Sequence, residues 1–274
     1  IMKRLVLKFG GTSVGTIEKI KNVANIIKKR HNEGNEIIVI VSAMSNVTND
    51  LKKQSSVISK NFDDKELDVL LSSGEQVSSS LLSGAIIDSG LKARSWLGWQ
   101  IPIFTDDNYT SSQIMKIKTD GILSFISDGG IAVIAGFQGI SKDNRITTLG
   151  RGGSDLSAVA VAKFFKTDSC EIYTDVEGVL TTDPAIHKKA KKIDKISYEE
   201  MLEMASLGAK VMQPISVQTS MIDDIPIHVR SVFSEKAGTT ITSQSKIDYK
   251  KVVTGIAYSK NDAKVTLVGV ADKP

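Results

Sequence analysis

Lys8-Phe9-Gly10-Gly11-Thr12-Ser13-Val14 directly follows the apolar run Leu5-Val6-Leu7. A lysine ahead of two glycines is the wrong order for G-x-x-x-x-G-K-[ST], where the lysine comes last. It does not fit G-x-G-x-x-G either. The stretch reads as a strand feeding a tight turn whose backbone N–H groups are open. Glycine lets that backbone approach an anion closely, and Lys8 adds a compact positive charge. The plainer reading is a Gly-Gly turn with a surface lysine.

Working outward, short apolar strands alternate with helical patterns. Strands are predicted at Lys3 to Phe9, Ile37 to Val41, Ile131 to Ala135 and Glu171 to Thr174. Their unbroken apolar character suits strands buried on both faces. Helices are predicted at Thr16 to Glu33, Asp64 to Ser89, Ser111 to Ser127, Ser154 to Phe165, Tyr198 to Ser206 and Ala209 to Met221. Ser111 is read as an N-cap, with Gly129-Gly130 closing that region. The alternation predicts an α/β fold: an open, mostly parallel sheet sandwiched by helices, over residues 1–245. Beyond that the pattern changes, to strands predicted at Thr254 to Ser259 and Ala263 to Val270. Two strands cannot bury their own faces, so residues 246–274 read as a linker and the opening of a second, incomplete domain.

Bulk properties narrow the classes. The 274 residues carry a 41% hydrophobic fraction, ample for a core, and a formal charge of +4 from 35 basic and 31 acidic residues. No long basic stripe accompanies that charge, so no nucleic-acid partner is expected. The densest run, His187 to Lys192, reads as a solvated loop. The single cysteine, Cys170, excludes an internal disulfide and suits a reducing compartment. No stretch approaches the roughly 20 apolar residues of a membrane helix, and the start runs straight into a strand with no signal peptide. Ile1 ahead of Met2 reads as a cloning remnant. The N-x-[ST] matches at Asn46 and Asn108 read as chance. A cytoplasmic protein without membrane partners is expected.

Four stretches put small or polar residues at the carboxyl end of an apolar strand, the edge where open α/β sheets bind ligands. The Lys8 stretch is the first. The second, Val41-Ser42-Ala43-Met44-Ser45-Asn46-Val47-Thr48-Asn49, empties a strand into hydroxyls and amides; a helix starting there would offer its N-terminal amides to an anion. The third, Thr147-Thr148-Leu149-Gly150-Arg151-Gly152-Gly153-Ser154-Asp155, surrounds an arginine with glycines, a costly arrangement unless backbone freedom is needed. Ser154 or Asp155 would cap the helix that follows. Arg151 can fork onto a carboxylate or a phosphate. Asp155 suits positioning a lysine, or a metal. The fourth runs Tyr173-Thr174-Asp175-Val176-Glu177-Gly178, then Thr181-Thr182-Asp183-Pro184. Two further features stand out. Ser73-Gly74-Glu75 interrupts a helical pattern, and Glu75 either meets an ammonium group or faces solvent. Lys210, after Gly208-Ala209, could reach a phosphate or lie free on the surface.

His31, His187 and His228 are scattered and show no zinc spacing, and no serine sits in G-x-S-x-G. What remains is an anion-gripping site with lysines, an arginine and carboxylates. That equipment suits phosphoryl transfer, where positioning and charge neutralisation carry most of the catalysis.

Taken together, Lys8 to Val14, Val41 to Thr48, Ser73 to Glu75, Gly136-Phe137-Gln138-Gly139, Thr148 to Asp155, Thr174 to Gly178 and Thr182 to Pro184 resemble the aspartate kinases of the amino acid kinase family. The match is collinear over about the first 240 residues. Residues 253–274 look like the start of an ACT domain, which implies that most of the usual regulatory region is missing. The resemblance implies transfer of the ATP γ-phosphoryl group, with Mg²⁺, to the side-chain carboxylate of L-aspartate. The product, 4-phospho-L-aspartate, heads lysine, threonine and methionine synthesis. By the same resemblance, Lys8 would bridge the phosphates and Asp155 would hold Lys8. Gly10, Gly11, Ser42, Thr174, Asp175, Asp183 and Lys210 would belong to the nucleotide site. Thr48, Gly152, Gly153 and Ser154 would help seat aspartate, with Arg151 on its α-carboxylate and Glu75 on its α-ammonium. A homodimer is implied. Leu180, Ala185 and Met212-Gln213-Pro214 depart from the family pattern, the first two at positions associated with the nucleotide. Other readings are a sister kinase acting on glutamate, acetylglutamate, carbamate or a nucleotide, and a non-catalytic amino-acid-binding subunit.

Overall fold

A computed structural model describes residues 2–209, 211–248 and 253–258. In chain order the elements are β1 (Arg4–Phe9), α1 (Ile17–Asn32), β2 (Glu36–Val41), α2 (Val47–Ile58), α3 (Asp64–Asp88), β3 (Ala93–Trp96), β4 (Ile103–Thr105), β5 (Ile114–Ile117), α4 (Asp120–Ser127), β6 (Ile131–Ala135), β7 (Gln138–Ile140), β8 (Ile146–Thr148), α5 (Gly153–Phe164), β9 (Ser169–Thr174), β10 (Lys195–Ser197), α6 (Tyr198–Ser206), α7 (Pro214–Ile222), β11 (Ile227–Ser231) and β12 (Thr239–Thr242).

Among the described residues an eight-stranded sheet runs β10-β12-β11-β9-β1-β2-β6-β3. Its pairs are parallel except β11 with β12. The central strands explain the sandwich. Every residue of β2 and of β6 is buried, and successive side chains point to opposite faces. Leu5, Leu7, Phe9, Ile37, Val39, Val41, Ile131 and Val133 therefore pack with α1 and α3 on one side. Val6, Ile38, Ile40, Ala132 and Ile134 join a second core with α4, α5, α6 and α7. Glu171 on β9 is matched by Arg30 of α1, by Arg230 of β11 at 3.3 Å and by the Tyr173 hydroxyl at 2.9 Å, which ties α1 to the sheet.

The four predicted strands and most of the helices form within a residue or two of their expected ends. Three differences have physical causes. Ser111 to Ser127 is not one helix. Asp106 Oδ1 takes the N–H groups of Asn108 and Gln113 (3.3 and 3.0 Å), and Ser112 N–H reaches Thr148 O at 2.9 Å. These bonds hold a loop, β5 then pairs with β4, and α4 begins only at Asp120. The helix expected from Ala209 starts instead at Pro214, which occupies the first turn, where its missing N–H costs nothing. Residues 254–258 form no strand: Thr254 Oγ1 donates to Glu200 Oε1 (2.6 Å) and Ile256 N–H to Thr181 O (2.8 Å). The expected strand Ala263 to Val270 lies outside the described residues.

The short strands β4, β5, β7 and β8 make a second sheet, ordered β5-β4-β7-β8. It leads into the loop that carries Arg151. The His187 to Lys192 run is mostly exposed, as expected of a solvated loop.

Candidate active site

Parallel register brings three of the sequence stretches abreast. Phe9 pairs with Val41 on one side and Tyr173 on the other, so Gly10, Ser42 and Thr174 come abreast at the carboxyl edge of the sheet. The Gly10 turn closes through Ser13 N–H to Gly10 O at 2.9 Å, and Ser42 N–H donates to Phe9 O at 3.1 Å.

A cleft of about 860 Å³ opens there. Its lining includes Lys8, Gly11, Ser42, Thr48, Glu75, Arg151, Gly152, Gly153, Ser154 and Asp155, residues that lie up to 147 positions apart in the chain (Lys8 to Asp155). Gly10, Thr174, Asp175 and Asp183 do not line it. Thr174 Oγ1 donates to Asp175 Oδ1 (3.2 Å), and Asp183 Oδ1 caps its own turn at Ala185 N–H (2.8 Å). Lys210 lies outside the described residues.

Lys8 is two residues after Val6 on β1 and shares the face covered by α5. Asp155 stands in the first turn of α5, where the helix dipole favours an anion. The two meet at 2.6 Å, each side chain about 11% exposed. Neither Ser154 nor Asp155 caps α5, contrary to expectation. Gly152 is the N-cap, at φ +76, with no side-chain cap bond. That frees the Asp155 carboxylate to face Lys8. A Cβ on Gly152 would also sit 2.6 Å from Gln213 Cγ, so both backbone angle and space demand glycine. Arg151 precedes it, exposed at the cleft wall.

Ser73-Gly74-Glu75 does not interrupt a helix; it lies inside the 25-residue α3. Nor does Glu75 face bulk water. It is 3% exposed, and Oε1 accepts Ala43 N–H at 3.0 Å. Oε2 is buried without a hydrogen-bond partner among the described residues. Burial pushes the carboxyl up to about 7, against the opposing pull of the Ala43 amide. Ser78 Oγ donates to Ser42 O at 2.7 Å, locking the same helix face to the same loop.

This close approach depends on Gly74. A Cβ there would come within 2.8 Å of Ala43 Cβ and 3.2 Å of Val47 Cγ1. Gly74→Ala is expected to destabilise the fold by about 1–3 kcal/mol through overpacking. Thermal unfolding checks this; an unchanged midpoint would show that the loop yields freely.

Asn49 and Phe137, named within their stretches but given no role, line the cleft, and sequence reasoning missed Lys52, on the cleft side of α2, and Thr110. It also missed Asp68, which is fully buried beneath Thr110 and Thr148. The signal for Asp68 was its spacing: seven residues before Glu75, on the same helical face.

A mostly parallel sheet covered by helices on both sides, with a cleft of cations and carboxylates at its carboxyl edge, defines an α/β protein with a charged pocket of small-molecule size. The chain belongs to the amino acid kinase family, whose family model matches residues 3–231. It is similar to an aspartate kinase of Stutzerimonas stutzeri, 46% identical over 274 residues, which covers all of this chain and 66% of that protein. A solved aspartate kinase from Synechocystis is 44% identical, with a TM-score of 0.78 over 87% of this chain and 40% of the other. E. coli aspartokinase III, solved with aspartate and ADP, is 26% identical, with a TM-score of 0.76 over 87% and 64% of the respective chains. The chain spans about two thirds of the length of the curated relatives it matches. No described helix is long and apolar enough to cross a membrane.

Proposed function

We propose that this chain carries the catalytic site for ATP-dependent phosphorylation of the L-aspartate side chain, giving 4-phospho-L-aspartate. The observation that carries the reading is the Lys8–Asp155 pair at 2.6 Å, in one cleft with Arg151 and a buried, half-satisfied Glu75. The likeness to named aspartate kinases supports it.

The attacking carboxylate is already ionised near neutral pH, so the reaction needs no general base. The difficulty is repulsion between an anionic acceptor and an anionic triphosphate. Lys8 offsets it by meeting the transferred group, and Asp155 holds the ammonium so that no reorganisation is needed during transfer. Gly10 and Gly11 offer backbone amides to phosphate, with Ser42 alongside. Thr174, Asp175, Asp183 and Lys210 are assigned to the nucleotide. Arg151 takes the α-carboxylate of aspartate, Glu75 the α-ammonium, and Thr48, Gly152, Gly153 and Ser154 complete the seat. Opposite charges at the two ends select an amino acid over a plain diacid. Among the described residues no group of three or more His, Cys, Asp or Glu side chains forms a cation cage. Mg²⁺ fits this cleft as a companion of the nucleotide, held largely by phosphate oxygens and water, as is usual for this ion.

Residues 246–274 fit a linker and the opening of an ACT domain, the setting in the cell fits the cytoplasm, and family likeness favours a homodimer. The test of the central reading is chemical. Protein, Mg-ATP and L-aspartate with hydroxylamine should yield aspartyl hydroxamate. Faster turnover of glutamate, acetylglutamate or carbamate would replace aspartate as the acceptor, and no acyl phosphate from a folded protein would end the reading.

A further inference from the structure

Helix α3 carries two buried carboxylates into the cleft region. Glu75 docks on the Ser42-Ala43 loop. Asp68 docks on a different wall. Its carboxylate accepts Thr110 N–H at 3.0 and 3.1 Å, Thr148 N–H at 2.9 Å and the Thr148 hydroxyl at 2.5 Å. Asp68 has no exposed surface and does not line the cleft. Thr110, Thr148, Gly150 and Arg151 do. They are knit to one another as well. Ser112 N–H donates to Thr148 O at 2.9 Å, and a Cβ on Gly150 would meet Thr110 O at 3.0 Å. Thr110 takes φ +64, a conformation uncommon for its type, and Asp68 accepts its N–H. One buried group thus gathers the turn at Thr110 and the end of β8, three residues before Arg151.

We propose that Asp68 is a positioning residue for the amino-acid acceptor: it fixes the Arg151 wall at a set distance from Glu75, using α3 as the ruler. The assignment rests on the aspartate reading given above. Seven helical residues separate the two anchors by about 10 Å along the axis. A rigid helix holds that spacing better than either loop could. An acceptor gripped at both ends depends on it, because small misplacement of a binding group is costly. The nucleotide, assigned to the strand ends of β1 and β9, does not.

The test is steady-state kinetics of the intact protein, with L-aspartate and Mg-ATP varied separately and thermal unfolding run alongside. In Asp68→Ala the KM for aspartate rises about 30-fold while that for Mg-ATP stays within about twofold. In Asp68→Asn the amide oxygen can accept both backbone N–H groups and the NH₂ can donate to Thr148 Oγ1. That variant returns the aspartate KM to within about threefold of wild type, since a hydrogen bond reversed in direction is retained rather than lost. A folded Asp68→Ala with an unmoved aspartate KM, or with both KM values raised together, overturns the assignment. So does an Asp68→Asn variant as impaired as Asp68→Ala. If Asp68→Ala does not fold, Asp68→Asn combined with Thr148→Val decides. Valine strands the buried NH₂, and the aspartate KM then rises about tenfold above both single variants; simple additivity overturns the proposal. A wild type without aspartate-dependent turnover removes the function reading and this assignment with it. A wild type with turnover and an unmoved Asp68→Ala removes the assignment alone.

Discussion

Lys8→Ala lowers turnover by at least about two orders of magnitude, the scale of losing one preorganised charge contact to a transition state. Two effects combine. On the proposed mechanism, the transferred phosphoryl group loses the cation that offsets its repulsion from the acceptor carboxylate. Asp155, only about 11% exposed and 2.6 Å from the lysine, is left as a buried, uncompensated anion in the same cleft. It would then repel both substrates. Breaking a buried pair from one side also costs about 3–5 kcal/mol of stability, so the melting temperature should fall with the rate. Measuring kcat and thermal unfolding on the same preparation separates the two effects: a folded variant with a near-normal rate removes Lys8 from the chemistry.

Glu75→Gln should weaken aspartate binding by about 100-fold, because the amide removes the charge proposed to meet the ammonium group and a hydrogen bond to a charged partner is among the stronger ones. The same substitution should stabilise the fold at alkaline pH. The Glu75 carboxyl sits at about 7 in the folded protein against an ordinary 4.5. Folding therefore takes up a proton between those two values. The contribution of this group is whole below the unfolded value and is lost as pH climbs through the folded one. The loss is on the order of 3 kcal/mol from end to end. Glutamine does not titrate, so its stability advantage should grow between pH 5 and 8. Unfolding curves at several pH values check this, and a constant difference would show that Glu75 is not ionising as its burial requires. Binding should run the opposite way. Wild-type affinity for aspartate falls as pH drops below about 7, where the carboxyl protonates, and the Gln variant should show no such slope. On the proposed role of Glu75, one buried acid lowers stability in order to recognise an amine, a pattern common at binding sites.

Part of this was readable in the chain alone. The apolar runs at Leu5, Ile37 and Ile131 are strands buried on both faces, because apolar residues must avoid water whichever way they point; the strand at Glu171 is buried beside them with its carboxylate matched by Arg30 and Arg230. Gly150, Gly152 and Gly153 around Arg151 announced a backbone that only glycine tolerates, and the φ of +76 at Gly152 bears that out. The short strands β4, β5, β7 and β8 left no such trace. Three or four residues hold their form there by pairing with distant partners, not by local preference. For Asp68 the spacing to Glu75 placed it on the same helical face but gave it no role: an aspartate in a helix is ordinary until its oxygens are seen to accept from Thr110 and Thr148.

Composition and periodicity by themselves determined the layered α/β class, the glycine-rich turns and the residue types of the cleft, since those follow from burial and local backbone freedom. Only the tertiary structure decided that Lys8 and Asp155 touch, that Glu75 is enclosed rather than solvated, and that Asp68 binds two walls together. Distances between residues far apart in the chain depend on strand order and helix docking, which no local pattern of side chains encodes.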